Sequence, residues 1–375
     1  MVKKSVIRND VGARNPYAII DNLESGKINW KKKPRDEIRF FFNKHFGMKL
    51  EDVFGSPDSP LFRKTGTGAV LSGCTDAWTD YIDYPGGTYL SGAPHIDDVV
   101  QGCVPDCYYL ASLYSLAWVK PSSITNQTPP FKFTFYYPPG TPNNTSTFPI
   151  PAPAISVDKG HLPLKKITLS EGKIGYNFVY ARSTTPSYEI WPSIYEKAYA
   201  KFIGVPSADG DADHPDVSKI GEGSPFQTLV NLTGLNLALD DKTSLTTSYN
   251  SGDDIYTKIK AAMCSGGKKA TKAGVAFTYR NGQYSEDKIV ANHTYSILGV
   301  HTEIPPGSTI TKKYIVLRNP YGPTWYQDPE MYDDEGSLAR GVWSPLGYKL
   351  DKEDGIFGLR ADLFKSYFEA FGWVL

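Results

Sequence analysis

The stretch VVQGCVPDCYYLASLYSLAW (99–118) changes character at Pro105, where a glycine-containing loop gives way to a nearly continuous apolar run. Such a run, apolar on every face, is typical of a helix buried inside a protein. Pro105 and Asp106 suit the start of a helix, because proline needs no donor there and aspartate can cap free backbone amides. We therefore predict a buried helix from about residue 105 to 119.

The same stretch holds two of the four cysteines, Cys103 and Cys107. Cys107 falls in the first turn of the predicted helix, where unpaired amides and the helix dipole stabilise a thiolate. Cys103 precedes the helix and gains no such help. Against this, a cysteine that opens an apolar helix is more often a packed core thiol. No Cys/His pair at ligand spacing follows downstream, so we predict no metal site for the two thiols.

The overall composition excludes several classes of protein. The 375 residues include 40 basic and 40 acidic side chains, so no net charge favours nucleic acid as a partner. No apolar run reaches the roughly 20 residues that span a membrane, and no signal peptide is recognisable. With few cysteines, we expect a cytoplasmic protein, although a mature secreted form would look the same. The oligomeric state is left open.

Periodicity divides the chain into a helix-rich part and a strand-rich part. Helical patterns cover 190–204, 224–235 and 253–267, whereas 273–279, 291–300, 313–319 and 357–368 alternate mostly as strands. This order predicts an α+β protein of two lobes with a cleft between them. We assign lobe 1 to 76–220 and lobe 2 to 221–375. Residues 1–75, with a helix-like segment at 34–54, form an extension that serves as pro-segment or brace.

The strand-rich part holds a candidate base for a reactive thiol. His293 and His301 bracket one apolar strand of a hairpin. If the hairpin is symmetric about Pro306, His293 lies opposite Asn319, and His301 lies opposite Thr311. An amide beside the imidazole would orient it and leave its other nitrogen free for a thiol. This arithmetic selects His293 and Asn319 from the six histidines and their neighbours.

An acyl-transfer site also needs a donor for the developing oxyanion. The Gln101 side-chain amide, six residues before Cys107 in a glycine-containing loop, could act there together with the Cys107 backbone N–H. A glutamine elsewhere on the protein surface would not indicate a catalytic role.

Six blocks of the sequence, in the same order, resemble the calpain family of papain-like cysteine proteases. They are QGCVPDCYYLASLYSL (101–116), EIWPSIYEKAYAKFIG (189–204), IGEGSPFQTLVNLTG (220–234), NHTYSILGV (292–300), LRNPYG (317–322) and EDGIFGLRADLFKSYF (353–368). The resemblance implies a papain-like fold, in which a helical lobe carries the cysteine and an antiparallel β lobe carries the histidine and asparagine. It also implies an endopeptidase that acts on protein or peptide substrates.

Carried over block by block, the resemblance makes Cys107 the nucleophile, His293 the general base and Asn319 its orienter. Gln101 completes the oxyanion hole. Gly223 and Tyr321 are the implied substrate-binding residues.

The sequence departs from the family pattern at three positions. Pro105 replaces the glycine before Asp-Cys, Tyr108 replaces the tryptophan after the cysteine, and Tyr321 replaces the tryptophan that shields the triad. No cofactor is required by this chemistry. Some family members bind calcium in the protease core, and the acidic loops 209–213 and 328–336 could do so, although neither matches a twelve-residue calcium loop.

Two alternatives remain open at this stage. The first is a catalytically silent peptide-binding module of the same fold. The second is an acyl transferase of the transglutaminase type, which also uses a Cys–His pair but usually orients the histidine with aspartate.

Overall fold

The structure of the chain is a computed structural model, and it describes part of the sequence. The described residues are 81–82, 89–90, 92–95, 98–102, 104–158, 162–168, 174–178, 180–181, 189–216, 219–220, 223–241, 245, 248–280, 289–322, 336–350 and 355–375. The predicted extension 1–75, Cys103 and most of the acidic loop 328–336 lie outside them.

Five α-helices are present in this part of the chain: α1 (Cys107–Val119), α2 (Trp191–Phe202), α3 (Pro225–Thr233), α4 (Gly252–Met263) and the short α5 (Phe364–Tyr367). The first four agree with the predicted helices to within a few residues at each end. In α1, all residues from Tyr108 to Ala117 are buried, as expected of a helix without a polar face. Ser224 caps α3 by accepting a hydrogen bond from the Gln227 amide, and Ser251 and Asp254 form a capping box on α4.

The strands form one large sheet and several small ones. In chain order they are β1 (Tyr81–Ile82), β2 (Phe131–Phe133), β3 (Tyr136–Tyr137), β4 (Ile150–Pro151), β5 (Ile155–Val157), β6 (Leu162–Thr168), β7 (Ile174–Phe178), β8 (Leu237–Asp240), β9 (Gly274–Thr278), β10 (Thr294–Glu303), β11 (Lys312–Arg318), β12 (Val342–Trp343), β13 (Tyr348–Lys349), β14 (Ile356–Arg360) and β15 (Phe368–Val374). The large sheet has six strands in the order β14-β11-β10-β9-β15-β8, and its pairs are antiparallel. The predicted α+β class and antiparallel sheet are therefore confirmed.

The prediction of a strand across 357–368 was only half right. β14 ends at Arg360, and the chain then forms a 3-10 turn at Ala361–Leu363 and the helix α5 before it returns to the sheet as β15. The apolar side chains of this turn pack into the core, where Phe364 is completely buried. A helical turn can bury an apolar cluster as well as a strand can, so the alternation of apolar residues does not by itself distinguish a turn from a strand.

Helix α1 lies against the large sheet, and two buried serines, one in α1 and one in β10, fix the contact. The Ser115 hydroxyl donates to the Gly274 carbonyl at 2.9 Å and accepts from the Gly274 amide at 2.7 Å, at the start of β9. The Ser296 hydroxyl of β10 donates to the Ala111 carbonyl at 2.7 Å. These bonds set the position of α1 along β9 and β10, and so they determine where the first residue of α1 meets the sheet.

Among the residues that the structure describes, none of the helices is both long and apolar enough to cross a bilayer.

Candidate functional site

The site centres on an imidazole and an amide at one end of the large sheet. His293 precedes β10, Asn319 follows β11, and both are buried. His293 Nε2 lies 2.9 Å from Asn319 Oδ1, and the Tyr321 backbone amide donates to the same oxygen at 3.0 Å. Because Oδ1 can only accept, His293 Nε2 carries the proton and donates. Nδ1 of the neutral ring is therefore the basic nitrogen.

The assumed register of the hairpin was wrong, although the two residues still meet. His301 pairs with Tyr314 rather than Thr311, three residues further along, because the turn is centred about one and a half positions later than the symmetric hairpin requires. A bulge between Ile297 and Gly299 then shifts the pairing by one residue, so that Ser296 lies opposite Arg318. His293 consequently reaches Asn319 diagonally across the ends of the strands, and the ring of Tyr321 stacks on the imidazole with centroids 4.6 Å apart.

Cys107 is the first residue of α1 and faces the start of β10. Thr294, the residue after His293, lies beside the thiol, and its backbone amide and side chain lower the pKa of that thiol. The thiol also raises the pKa of the Tyr321 hydroxyl, although burial of that hydroxyl is the larger cause. The structure therefore brings Cys107 to the same end of the sheet as the His293–Asn319 pair.

The predicted stabilisation of a thiolate at the helix start is wrong for this structure. Burial raises the pKa of the Cys107 thiol to about 12, and the neighbouring Asp106 carboxyl adds to the rise, whereas the bonds from Thr294 and from the Tyr108 amide oppose it. The residue as a whole keeps partial exposure to solvent. Desolvation thus outweighs the dipole of the first turn.

Burial also keeps the histidine neutral. It lowers the pKa of His293 to about 4, and the hydrogen bond to Asn319 offsets only part of this effect. With the thiol pKa raised and the imidazole pKa lowered, both groups are uncharged near neutral pH.

The loop before α1 is tied to the loop after β11. Arg318 is fully buried, and its guanidinium donates to the carbonyls of Val99 at 2.9 Å and Asp98 at 2.8 Å. The Gln101 amide donates to the Pro320 carbonyl at 2.9 Å. Arg318 was missed by the sequence analysis, because no pattern distinguishes an arginine that organises a loop from one at the surface.

The Gln101 side chain is buried and lies in the loop that leads to Cys107. Its Nε2 donates to the Val104 carbonyl at 2.8 Å, which uses one of the two amide hydrogens. This bond orients the side chain, and the second hydrogen is left for another acceptor.

The two expected substrate-binding residues contact neighbours of the proposed catalytic groups, Gly223 through Tyr108, the residue after Cys107, and Tyr321 through His293. Gly223 is exposed and its backbone lies against the ring of Tyr108, so that even a Cβ atom would overlap that ring. Tyr321, half-buried, covers one face of the imidazole.

The carboxylates of the acidic loop 209–213 are contacted by side chains of the protein itself. Lys197 and Lys201 of α2 each lie 3.0 Å from an oxygen of Asp213, and His214 Nδ1 lies 2.7 Å from Asp209. Within the described residues no group of three or more His, Cys, Asp or Glu side chains is arranged to hold a metal ion. Calcium binding stays a prediction.

The expected cap on α1 is not formed by the side chain of Asp106. The amides of Tyr109 and Leu110 bond to the Asp106 carbonyl, and no amide of the helix bonds to the carboxyl. The carboxyl is instead hydrogen-bonded to Glu196 of α2, a residue that the sequence analysis did not single out. Nothing in the periodicity of α2 marks Glu196 as buried.

Comparison with known proteins identifies the class as cysteine protease. The model of the calpain family cysteine proteases matches residues 168–372, a span that includes His293 and Asn319 and begins after Cys107. A thiol protease of Porphyromonas gingivalis is 27% identical over 297 residues, which cover 75% of this chain and 56% of that protein. Calpain-13 of Rattus norvegicus is 24% identical over 202 residues, which cover 52% of this chain and 26% of that protein.

Because the family model matches more than half of the sequence, this chain belongs to the calpain family of cysteine proteases. Family membership and the thiol protease relative support a protease function. The chain aligns with about half of the bacterial relative and a quarter of the mammalian one.

Proposed function

We propose that this chain is a cysteine endopeptidase in which Cys107, His293 and Asn319 form the catalytic triad. The observation that carries the proposal is the 2.9 Å bond between His293 Nε2 and Asn319 Oδ1. It assigns the ring proton to Nε2 and leaves Nδ1 as the base at the end of the sheet that Cys107 faces. In this proposal 76–220 is the lobe with the cysteine, and 221–375 is the lobe with the histidine and asparagine.

The proposed reaction begins with a peptide bound across the cleft between the lobes, beside Gly223 and Tyr321. His293 Nδ1 takes the proton of the Cys107 thiol as sulfur attacks the carbonyl carbon of the scissile bond. The C–N bond then breaks, and the imidazolium returns the proton to the leaving amine. Water, deprotonated by the same nitrogen, cleaves the thioester and releases the acid together with the free thiol.

The oxyanion of each tetrahedral intermediate is bound by two N–H groups. The Cys107 amide belongs to the first turn of α1, where amides have no partner within the helix. The Gln101 side chain supplies the second donor, with the hydrogen that Val104 does not use. The bonds of Arg318 and Gln101 to the opposite loop support this role, because they hold the donor at a fixed distance from the sheet that carries the base.

Proton transfer accompanies attack in this scheme, rather than preceding it. A thiol pKa of about 12 beside an imidazole pKa of about 4 favours the uncharged pair in the resting protein. The rate of alkylation of Cys107 by iodoacetamide should therefore rise continuously from pH 6 to pH 9. A preformed thiolate–imidazolium pair would instead give a plateau from about pH 4 upward.

Cleavage of a peptide library by the purified chain, with and without calcium, tests the function. Cys107→Ala should abolish hydrolysis, and Cys103→Ala, the matched control four residues away, should largely retain it. An epoxide probe should label Cys107 and not Cys103. Equal loss of hydrolysis in both variants, with folding intact, contradicts the proposal.

The same assays separate the alternatives. Peptide binding without hydrolysis by the wild-type chain indicates a silent binding module. Incorporation of an amine without hydrolysis indicates a transglutaminase-type acyl transferase.

A further inference from the structure

Two buried carboxyls lie directly behind the thiol. Asp106 precedes the first residue of α1, and Glu196 lies in α2; each is 1% exposed. The two carboxyls lie in hydrogen-bonding contact with each other. The Ala181 backbone amide donates to Glu196 Oε2 at 2.5 Å, whereas Glu196 Oε1 and both carboxyl oxygens of Asp106 receive no donor from the described residues. These three oxygens are therefore available to share a proton.

The surroundings of the pair contain hydroxyls rather than cations. Within the described residues, no lysine or arginine acts on either carboxyl, since Lys197, the neighbour of Glu196, bonds to Asp213. The titratable groups that face the pair come from α1, from the segment before α2, from α2 itself and from the loop after β11: Cys107, Tyr108, Tyr109, Tyr180, Tyr199 and Tyr321.

Two buried carboxylates in contact, with no cation beside them, cannot both be ionised near neutral pH. Burial raises the pKa of Asp106 to about 7 and that of Glu196 well above its usual range. One proton held between the two carboxyls removes their repulsion, and the pair then carries a single negative charge. Because Asp106 directly precedes Cys107, this charge lies next to the thiol.

We propose that Asp106 and Glu196 share one proton and act together as positioning residues for Cys107. Their bond fastens the start of α1 to α2, and the charge on Asp106 favours the neutral thiol. A neutral thiol reacts slowly with small electrophiles and oxidants, so the resting protein is protected until a base removes the proton. This inference rests on the proposed role of Cys107 as nucleophile.

The alkylation rate of Cys107 as a function of pH tests the electrostatic part. Iodoacetamide labelling is followed by mass spectrometry, with fragmentation that separates Cys107 from Cys103. Asp106→Asn removes the charge beside the thiol but keeps a group of the same shape, so the alkylation rate at each pH between 6 and 9 should rise about tenfold or more. Glu196→Gln keeps Asp106 ionised and should not raise the rate.

Asp213→Asn is the matched control, since it also removes a buried carboxylate that contacts α2 but does not face Cys107. Its profile should coincide with that of the wild type. A purely structural role for the carboxyl pair predicts lower stability in Asp106→Asn with an unchanged profile, and that result would overturn the inference.

Infrared difference spectroscopy tests the shared proton without requiring Asp106→Asn to fold. At neutral pH, the spectrum of the wild type minus that of Glu196→Gln should contain the C=O stretch of a protonated carboxylic acid. A difference spectrum without this band would contradict the shared proton.

Neither measurement depends on hydrolysis. If peptide cleavage requires Cys107 but the alkylation profile of Asp106→Asn equals that of the wild type, the inference is rejected and the proposed function stands. If the infrared band and the change in alkylation profile are found in a protein that cleaves no peptide, the proposed function is rejected and the inference about the carboxyl pair stands.

Discussion

Replacement of Asn319 by alanine should weaken both the fold and the orientation of His293. Asn319 is 1% exposed, and its Oδ1 accepts from His293 Nε2 at 2.9 Å and from the Tyr321 amide at 3.0 Å. The alanine variant leaves the N–H groups of His293 Nε2 and the Tyr321 backbone without this acceptor.

The expected size of the effect follows from these two bonds. A buried donor without a partner costs about 1–3 kcal/mol, so the free energy of unfolding should fall by about 2–6 kcal/mol. The imidazole, which then keeps only the ring contacts with Tyr321 and Tyr295, loses its orientation toward the thiol. We expect kcat/KM for peptide hydrolysis to fall about 10- to 100-fold, because small misplacements of a catalytic group have costs of this order.

Urea denaturation measures the first effect, and hydrolysis together with an NMR titration of the His293 ring measures the second. Asn231→Ala in α3 is the matched control. Asn231 is also buried, its Nδ2 donates to the Tyr136 carbonyl at 2.8 Å and its Oδ1 accepts from the Tyr199 hydroxyl at 3.4 Å.

The control should lose stability by a similar amount but retain the wild-type titration of His293. If Asn319→Ala keeps kcat/KM and the His293 titration of the wild type, the assignment of Asn319 as orienter is refuted. Equal loss of activity in both asparagine variants would show that lower stability alone explains the result.

Three further changes test the fold and its electrostatics. Burial lowers the pKa of His293 to about 4, against 6.5 in the unfolded chain, so the contribution of His293 to stability is complete above pH 6.5 and is lost as the pH falls toward 4. The difference in free energy of unfolding between the wild type and His293→Ala, measured by urea denaturation, should therefore become smaller by about 3 kcal/mol between pH 6.5 and pH 4. Gly299→Ala should lower the melting temperature strongly, because φ is +152° and the new Cβ would collide with the Lys268 carbonyl. The control Gly307→Ala, with φ of +79° and no atom near the new Cβ, should lower the free energy of unfolding by only about 1 kcal/mol. Equal effects of the two substitutions would contradict this reasoning. Ser115→Ala should cost about 1–3 kcal/mol by removing the paired bonds between α1 and β9, and an unchanged melting temperature would mean that those bonds do not stabilise the contact.

Local sequence patterns were sufficient for the elements that carry the site. The apolar run after Pro105 predicts a buried helix because no face of it could remain in water, and α1 has that character. Alternation predicts β9, β10 and β11, since their side chains must point in turn to opposite faces of the sheet. The spacing of His293 and Asn319 about a turn selected them as partners, although the register assumed for that turn was wrong.

The register of the hairpin required the tertiary structure. The symmetric arrangement placed His301 opposite Thr311, whereas the structure places Tyr314 there and inserts a bulge before Gly299. The position and length of a turn depend on how it packs against other segments. An alternating sequence pattern fits any two registers that differ by two residues equally well, so the pattern cannot select one of them.

By itself, the sequence determined the helices α1–α4 and the strands β9–β11, and it selected Cys107, His293, Asn319 and Gln101 as candidates. Only the tertiary structure decided the charges on them. Burial raises the pKa of the Cys107 thiol and lowers that of His293, and Asp106 meets Glu196 instead of capping α1. Ionisation depends on desolvation and on neighbours from distant parts of the chain, and these exist only when α1, α2 and the sheet are packed together.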